Sequence, residues 1–254
     1  MATKYQAPSV KKAFRILKLI SRTNRGLGIT ELANSLKMSK GTVHGIIFAL
    51  EDSGAIMRDT VTKKYTLGVT LFELGKFAYS QIDLKGLARP VMEELMEKTG
   101  ESVYVGVMNG GHMTILDIVE SSQDLKITSP KGTAIPLLAG ATGKVVLASM
   151  EKPQALNIIR RDGLPKFTEH TITDPERYLQ EVESAKKRGY ATDYEEYISG
   201  VRAIAAPITG WKPLISAIWV VGFKTSLDDH KMEDLIPATR EAAEEISRRI
   251  EKQS

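Results

Sequence analysis

The chain has 254 residues, of which 42% are hydrophobic and 26% are charged, a composition typical of a folded globular protein with one or two domains. It contains no cysteine, which excludes disulfides, thiolate nucleophiles, zinc–thiolate clusters and iron–sulfur ligation. Charged residues interrupt each apolar stretch before it reaches the ~20 residues of a transmembrane helix. We therefore expect a cytoplasmic protein without a membrane partner.

Positive charge is concentrated at the start of the chain. Residues 1–65 hold 12 of the 35 basic residues and 4 of the 31 acidic ones, a net charge of +8 in a chain whose total is +4. This asymmetry predicts a polyanion-binding segment joined to a region with a different task. Chance variation in charge between small domains is the alternative explanation.

Three short helices are predicted at the basic end. The first covers residues 10–20, the second has Thr30 as its N-cap, and the third has Ser39 as its N-cap and ends at Gly54. The second and third match a helix-turn-helix unit. The residues predicted to face inward on the three helices in turn are Val10, Ala13, Phe14, Leu17 and Ile20; Leu32, Ala33 and Leu36; and Val43, Ile46, Ile47 and Leu50.

The third helix presents small and polar residues outward. Glycine costs about 1 kcal/mol relative to alanine in a helix interior, so Gly41 and Gly45 are expected to serve something other than helix stability. Two roles stay open: close approach to a DNA major groove, or relief of packing against a neighbouring element. The outward-facing residues are Lys40, Gly41, Thr42, His44, Gly45 and Phe48. The predicted DNA-binding residues of this helix are Ser39, Lys40, Gly41, Thr42, His44 and Gly45.

Residues 55–67 alternate as a β-hairpin does, around a polar turn at 59–63. Lys63 and Lys64 lie near its tip. A basic hairpin after a recognition helix is typical of a wing, which lies along the phosphate backbone and adds affinity without reading sequence. A solvated charged turn is the alternative for either lysine.

Several longer motifs follow one another in a specific order. They are "GITELANSLKMSKGTVHGIIFALEDSG", "KKYTLG", "LFELG", "ARPVMEELMEKTGESVYVGV", "LAGATGKVVLAS" and "RGYATDYEEYISGVRAIAAPI". Their order and spacing resemble the isocitrate lyase regulator (IclR) family of bacterial transcription factors over nearly the whole chain. At Gly45 relatives usually carry an arginine, so an operator sequence is not transferable from a relative.

The resemblance implies an α+β protein with three parts: a winged helix-turn-helix domain over residues 1–68, a linker and dimerisation helix over 69–86, and a GAF-like effector domain with an antiparallel sheet over 87–254. It implies a ligand-responsive regulator of catabolic genes, either a repressor or an activator. The implied partners are palindromic double-stranded operator DNA, a small-molecule effector and further copies of the chain in a homodimer or homotetramer.

The helix after the hairpin is predicted to stop at Lys85–Gly86. The resemblance implies that it supports a dimer and sets the distance between two recognition helices. An ordinary core helix is the alternative. Its predicted apolar stripe consists of Leu67, Leu71, Leu74, Ala78 and Ile82.

The rest of the chain alternates helices and strands. A helix is predicted over 87–99 with Pro90 in its first turn, and the Asn109–Gly110 pair between two alternating runs predicts a β-hairpin. This order indicates an α+β domain built on an antiparallel sheet. The other predicted elements are a helix with Asp174 as N-cap, Pro175 first and Gly189 just past its end, strands over 201–208 and 214–223, and a helix over 229–252.

Motifs for catalysis, metals or cofactors are absent from the sequence. The segment "GATGKVV" at 140–146 lacks the spacing of a phosphate-binding loop, although a helix N-terminus there would suit a ligand carboxylate. Asp193, Glu195 and Glu196 form the densest acidic cluster, which we interpret as a solvated loop. The four histidines, which show no metal-ligand spacing, are His44, His112, His170 and His230. We expect no cofactor and no enzyme activity; an enzyme with an accessory nucleic-acid-binding domain and a constitutive DNA-binding protein are the alternatives.

The resemblance implies an effector pocket between the loop entering the "ATGK" helix, the "GYATD" segment and the last two strands. An aromatic ring in its wall favours an aromatic or hydrophobic organic acid, or its close derivative, as effector. The alternative is that Trp219 belongs to the ordinary core. The predicted effector-binding residues are Ala141, Thr142, Asp193, Ala203, Ser216, Trp219 and Val221.

Overall fold

The structure is a computed structural model that describes residues 7–80, 84–210 and 214–252. The chain divides into two compact units, Met1–Ile82 and Asp83–Ser254. Within the described ranges, no helix is long and apolar enough to cross a membrane.

The N-terminal unit combines helices with one small β-hairpin, and its described part confirms the predicted winged helix-turn-helix fold. The two strands are antiparallel, with Ile56 opposite Leu67 and Arg58 opposite Tyr65. The elements are α1 (Pro8–Ile20), α2 (Ile29–Leu36), α3 (Lys40–Asp52), β1 (Ile56–Arg58), β2 (Tyr65–Leu67) and α4 (Val69–Ser80).

The core of this unit lies where α1, α2, α3 and the hairpin meet. The inward residues predicted for α3 are confirmed, since Val43 and Ile47 are buried and their neighbours on that stripe are half-buried. The stripe predicted for α1 is wrong in its first half, because Val10 and Phe14 are exposed. The fully buried pair is instead Ile16 and Ile20, one turn apart, so only the C-terminal half of α1 packs on the core.

The start of α2 also differs from the prediction. Its N-cap is Gly28, and Thr30 is the second helical residue. The carboxylate of Glu31 accepts a hydrogen bond from the Gly28 N–H at 2.6 Å, which satisfies a backbone donor at the helix start. The N-cap predicted for α3 is confirmed, because the Ser39 hydroxyl accepts the Thr42 N–H at 3.1 Å.

The stop predicted at Lys85–Gly86 is wrong. The described part of α4 is Val69–Ser80, and α5 (Leu84–Thr99) contains Lys85, Gly86 and, in its interior, Pro90. A lysine–glycine pair is therefore not a sufficient signal for the end of a helix here. The prediction that Pro90 lies in the first turn of its helix is also wrong, because α5 begins six residues before it. On the predicted stripe Leu74 is exposed, while the side chain of Ala78 and residue 82 lie outside the described residues.

The C-terminal unit is built on one antiparallel sheet of six strands in the order β5-β4-β3-β8-β7-β6. Its strands are β3 (Ser102–Asn109), β4 (His112–Val119), β5 (Ala134–Pro136), β6 (Ala191–Tyr194), β7 (Val201–Ile208) and β8 (Ser216–Phe223). Its helices after α5 are α6 (Gly140–Ala148), α7 (Lys152–Asp162), α8 (Pro175–Arg188) and α9 (Asp229–Glu251).

Most of the predicted elements of this unit are confirmed. The hairpin at Asn109–Gly110 joins β3 to β4, and Asp174 caps α8 by accepting the Arg177 N–H. α6 and α8 pack on the sheet face that carries Trp219, whereas α5 and α9 pack on the sheet as a separate helical layer. The short strands β5 and β6 and the helix α7 were not predicted.

Candidate functional site

The outward face of α3 is formed as the sequence predicts. Lys40 and His44 are exposed, and Phe48 has 67% of its surface exposed. The hydroxyls of Ser39 and Thr42 lie 2.8 Å apart and both take part in the helix N-cap. These two residues therefore hold the start of α3 in place as well as lying beside its exposed face.

The two glycines of α3 have no packing role within their unit. A Cβ atom built at Gly41 or at Gly45 meets nothing within 4 Å in the described structure. Relief of packing against an element of the same unit is thus not the reason for either glycine. Both leave the helix backbone open to close approach by another molecule.

The two lysines of the hairpin differ in their surroundings. Lys63 is exposed and adopts a left-handed backbone conformation with φ 58°. The Lys64 ammonium lies 3.3 Å from a Glu31 carboxylate oxygen, which links the hairpin to α2. Asp59 shapes the turn, because its carboxylate accepts the Val61 and Thr62 N–H groups. Lys64 thus helps to position the wing, whereas Lys63 is presented at its tip.

The C-terminal unit contains a cavity of about 150 Å³ between the sheet and α6. Six of the seven predicted effector-binding residues line it: Ala141, Thr142, Asp193, Ala203, Trp219 and Val221. Ser216 does not, because its buried hydroxyl donates to the Ile208 carbonyl. Side chains alternate along a strand, so Ser216 points to the opposite face of β8 from Trp219 and Val221.

Ten further residues line the cavity that were not among the predicted effector-binding residues. They are Tyr104, Ile115, Ile127, Ser129, Thr133, Ile135, Ala139, Tyr197, Ile198 and Val201. Side chains alternate between the two faces of a strand, so the sequence alone does not show which face of the sheet carries Tyr104. The pairing of β3 with β8 places Tyr104 in the cavity, and a single sequence does not show that pairing. Apolar and aromatic groups dominate this wall.

Trp219 is both a core residue and a wall of the cavity. Only 2% of its surface is exposed, and it stacks on the ring of Tyr104. Gly106 makes room for it, since a Cβ there would lie 2.8 Å from the indole and 2.6 Å from the Thr114 carbonyl oxygen. The indole thus lines the cavity and packs in the core at the same time.

Asp193 supplies the polar end of the cavity. It is the one carboxyl among the described lining residues, which include no lysine, arginine or histidine. One of its oxygens accepts the Glu196 N–H at 2.6 Å. Burial, with a smaller contribution from the nearby Glu196 carboxylate, raises the pKa of Asp193 to about 7, although the Glu196 N–H and Lys144 oppose this shift.

The first turn of α6 borders the same end of the cavity. Ala141 and Thr142 belong to the lining, and no described residue accepts a hydrogen bond from their backbone N–H groups. Unpaired N–H groups at a helix start attract anions and hydrogen-bond acceptors. The arrangement therefore suits a small molecule with an apolar ring and an acceptor group at one end.

The acidic cluster is buried, which corrects its interpretation as a solvated loop. Asp193, Glu195 and Glu196 each expose 9% of their surface or less. Cations compensate the two glutamates: the Lys144 ammonium, itself buried, lies 2.5 Å from Glu196, and Lys224 lies 2.6 Å from Glu195. Asp193 instead accepts the Glu196 N–H. In the described residues, no group of three or more histidine or acidic side chains is placed to hold a metal ion.

Two family models match the chain. The one described as the IclR helix-turn-helix domain matches residues 9–60, and the one described as the bacterial transcriptional regulator IclR C-terminal matches residues 76–248. The chain therefore belongs to the IclR family of bacterial transcriptional regulators. It is a DNA-binding regulator with an N-terminal helix-turn-helix domain and a C-terminal ligand-binding domain.

Named relatives span almost the whole chain. The HTH-type transcriptional regulator BhcR of Paracoccus denitrificans is 33% identical over 94% of this chain and 86% of its own length. KipR of Bacillus subtilis, also an HTH-type transcriptional regulator, is 30% identical over 95% of this chain and 96% of its own length. Both relatives carry the names of regulators.

Solved structures share the fold. The IclR protein of Thermotoga maritima is 29% identical with a TM-score of 0.68, and the alignment covers 96% of this chain and 98% of that one. An IclR homologue from Microbacterium hydrocarbonoxydans, solved with 4-hydroxybenzoate, is 19% identical with a TM-score of 0.77, covering 97% of this chain and 100% of that one.

Proposed function

We propose that this regulator responds to a single-ring aromatic acid, or a close derivative, bound in the cavity of its C-terminal unit. The observation that carries the proposal is the stacked Tyr104–Trp219 pair in the wall of a cavity whose other end holds Asp193. An apolar ligand gains about 25 cal/mol for each Å² of apolar surface that it buries there.

The size of the cavity supports a one-ring ligand. A volume of about 150 Å³ matches the kind of apolar cavity that holds benzene. A two-carbon or three-carbon acid would leave the aromatic wall without a partner. The 4-hydroxybenzoate bound by the Microbacterium homologue is a ligand of the same class.

The polar end supports an acid rather than a bare ring. The N–H groups of Ala141 and Thr142 would hold the ligand carboxylate, favoured by the dipole of α6. Asp193 beside them would be protonated when the acid is bound, because two adjacent carboxylates repel each other. The residues that we propose for effector binding are thus Ala141, Thr142, Asp193, Ala203, Trp219 and Val221, with Tyr104 added and Ser216 removed.

On the DNA side, we propose that α3 enters the major groove and that the hairpin follows the phosphate backbone. Ser39, Lys40, Gly41, Thr42, His44 and Gly45 would contact the groove, and Lys63 and Lys64 the backbone. A regulator of this kind works where the chromosome is, so we place it in the cytoplasm. Relatives named for the glycerol operon and the acetate operon support catabolic target genes.

Self-association would pair two recognition helices on a palindromic operator. The N-terminal unit exposes large apolar residues on α1 and α4, including Phe14 at 58%, Phe72 at 68% and Leu74 at 61%. Exposed apolar residues of this size support a surface that a partner covers, and two-fold symmetry makes a second copy the fitting one. Light scattering of the full chain, compared with Phe72→Ser, distinguishes a dimer or tetramer from a monomer.

Regulation would then be a population shift. An effector that binds one arrangement of the two units more tightly than another changes the share of chains able to hold the operator. A difference of about 1–3 kcal/mol between the two arrangements is enough for useful switching.

The ligand proposal is tested by thermal unfolding of the full chain with a panel of acids. Benzoate and 4-hydroxybenzoate should raise the melting temperature, since a ligand at 100 times its dissociation constant adds about 2.7 kcal/mol, whereas acetate and pyruvate should not. Val221→Phe fills the cavity and should abolish the response. Ser216→Ala, on the same strand but outside the lining, should keep it.

Other outcomes identify the alternatives. A panel in which no acid changes the melting temperature of a DNA-binding chain would support a constitutive DNA-binding protein. Consumption of an acid on incubation with the protein would support an enzyme with an accessory nucleic-acid-binding domain.

A further inference from the structure

Phe48 is an exposed aromatic residue in the middle of the recognition helix α3. Because an α-helix turns about 100° per residue, Phe48 lies two turns after Gly41 on nearly the same line, and it lies about 100–140° around the helix from the buried Ile47 and Val43. Its exposure of 67% shows that its own unit does not use it as a core residue.

The surroundings of Phe48 leave room for another molecule to reach it. Side chains on a helix lean over the preceding turn, so the ring lies above the turn that contains His44 and Gly45. A Cβ at Gly45 or Gly41 would meet open space, and neither glycine offers a side chain that flanks the ring. The ring of Phe48 therefore lies beside helix backbone that the side chains of residues 41 and 45 do not cover.

Charge defines where this surface ends. Lys40 lies at the start of α3, whereas Glu51 and Asp52, both exposed, lie at its end. Carboxylates repel the phosphate backbone, so the part of α3 that faces DNA extends from Lys40 to about Phe48. Phe48 is the last residue of that face and the only large apolar side chain on it.

A phenylalanine side chain has no hydrogen-bond donor or acceptor, and the apolar group that a base offers in the major groove is the 5-methyl of thymine. We propose that Phe48 reads a thymine methyl in each half of the operator, as a specificity-determining residue. This inference rests on the proposed role of α3 in the major groove.

The test begins with selection of binding sequences from random double-stranded DNA by the full-length protein. Each thymine of the selected site is then replaced in turn by uracil, which lacks only the 5-methyl. At one thymine per half-site we expect the replacement to weaken binding by the wild-type chain about fourfold, the factor for losing one methyl-sized contact.

Phe48→Ala should bind the thymine and uracil forms equally well, with an unchanged melting temperature because the ring is exposed. Phe48→Leu, which keeps an apolar side chain, should restore part of the preference for thymine. The matched control is Leu125→Ala, which removes an exposed apolar side chain from the other unit and should keep full sensitivity to uracil.

The inference is overturned if the wild-type chain is insensitive to every uracil, or if Phe48→Ala keeps the wild-type sensitivity. Selection that enriches sites without thymine contradicts it in the same way. A chain that retains no DNA during selection contradicts the proposed function itself, and that failure appears before any uracil is introduced.

Discussion

Tyr104 on β3 and Trp219 on β8 lie directly opposite each other across the strand pair, and their rings stack with centroids 5.6 Å apart and planes inclined by 8°. The pair joins the core of the C-terminal unit to the wall of its cavity. Any change in the indole must therefore alter stability and the ligand site together.

Trp219→Ala is expected to lower the free energy of unfolding by about 3–5 kcal/mol, the usual cost of removing a large buried aromatic side chain. Tyr197→Ala, a change to a half-buried ring of the same cavity, should cost less. Urea unfolding of both variants measures the difference. A loss below about 1 kcal/mol for Trp219→Ala would show that the indole is not part of the core.

The second prediction concerns Asp193 and pH. Its folded pKa of about 7 lies above the ordinary value of 3.8, so the folded state holds a proton that the unfolded state releases. The contribution of Asp193 to stability is present below pH 4 and is lost as the pH rises to 7. The free energy of unfolding falls over this range by about 1.4 kcal/mol for each unit by which the pKa differs between the folded and unfolded states. Asp193→Asn should remove this decline and be more stable than the wild-type chain at pH 8.

Asp117 provides a control of opposite sign. Burial alone would raise the pKa of Asp117, but Lys131, the Ile118 N–H and Arg89 together lower it. Its contribution is therefore lost as the pH falls, and Asp117→Asn should be less stable than the wild-type chain at neutral pH. Denaturant unfolding between pH 4 and 8 compares both variants, and parallel curves for Asp193→Asn and the wild-type chain would contradict the assignment.

A third prediction concerns the buried ion pair of Lys144 and Glu196. Lys144→Met leaves the Glu196 carboxylate buried without its cation and should cost about 3–5 kcal/mol. The double variant with Glu196→Gln should recover part of this loss, because no unpaired charge remains. A double-mutant cycle measures the coupling, and strictly additive losses would show that the two side chains do not depend on each other.

The features that the sequence predicted correctly are those marked by residues within or next to the element itself. Asp174, Pro175 and Gly189 are contiguous with the helix that they delimit, so α8 could be assigned residue by residue. Gly28 and Thr30 both suit an N-cap, and the structure distinguishes them: the Gly28 carbonyl accepts the Leu32 N–H, and the Gly28 N–H donates to Glu31.

The cavity depends on pairing between distant segments. Which face of β8 lines the cavity depends on its pairing, in which Val221 lies opposite Ala203. Ser216 was assigned wrongly for a simpler reason: it is three residues from Trp219, so strand alternation places it on the other face. Burial of the acidic cluster depends on Lys144, which approaches it from α6, 52 residues away from Glu196 along the chain. No local pattern carries that information.

The fourth prediction separates stability from DNA binding on α3. Gly41→Ala and Gly45→Ala each add a Cβ into open space and remove the helix penalty of glycine, so each should raise stability by up to about 1 kcal/mol. Both should weaken operator binding, because the added methyl separates the helix backbone from the groove. Melting temperature and fluorescence anisotropy on the same samples check this, and unchanged operator affinity in both variants would place DNA contact elsewhere.

Regulation of DNA binding by an aromatic acid is measured as the affinity of the full chain for its own upstream intergenic DNA, across a salt series with and without benzoate or 4-hydroxybenzoate. We expect tight, salt-sensitive binding whose dissociation constant changes about 5–150-fold with an aromatic acid, and no such change in Val221→Phe. DNA binding that these acids leave unaltered would contradict the proposed effector class, and the absence of DNA binding at any salt concentration would contradict the proposed operator.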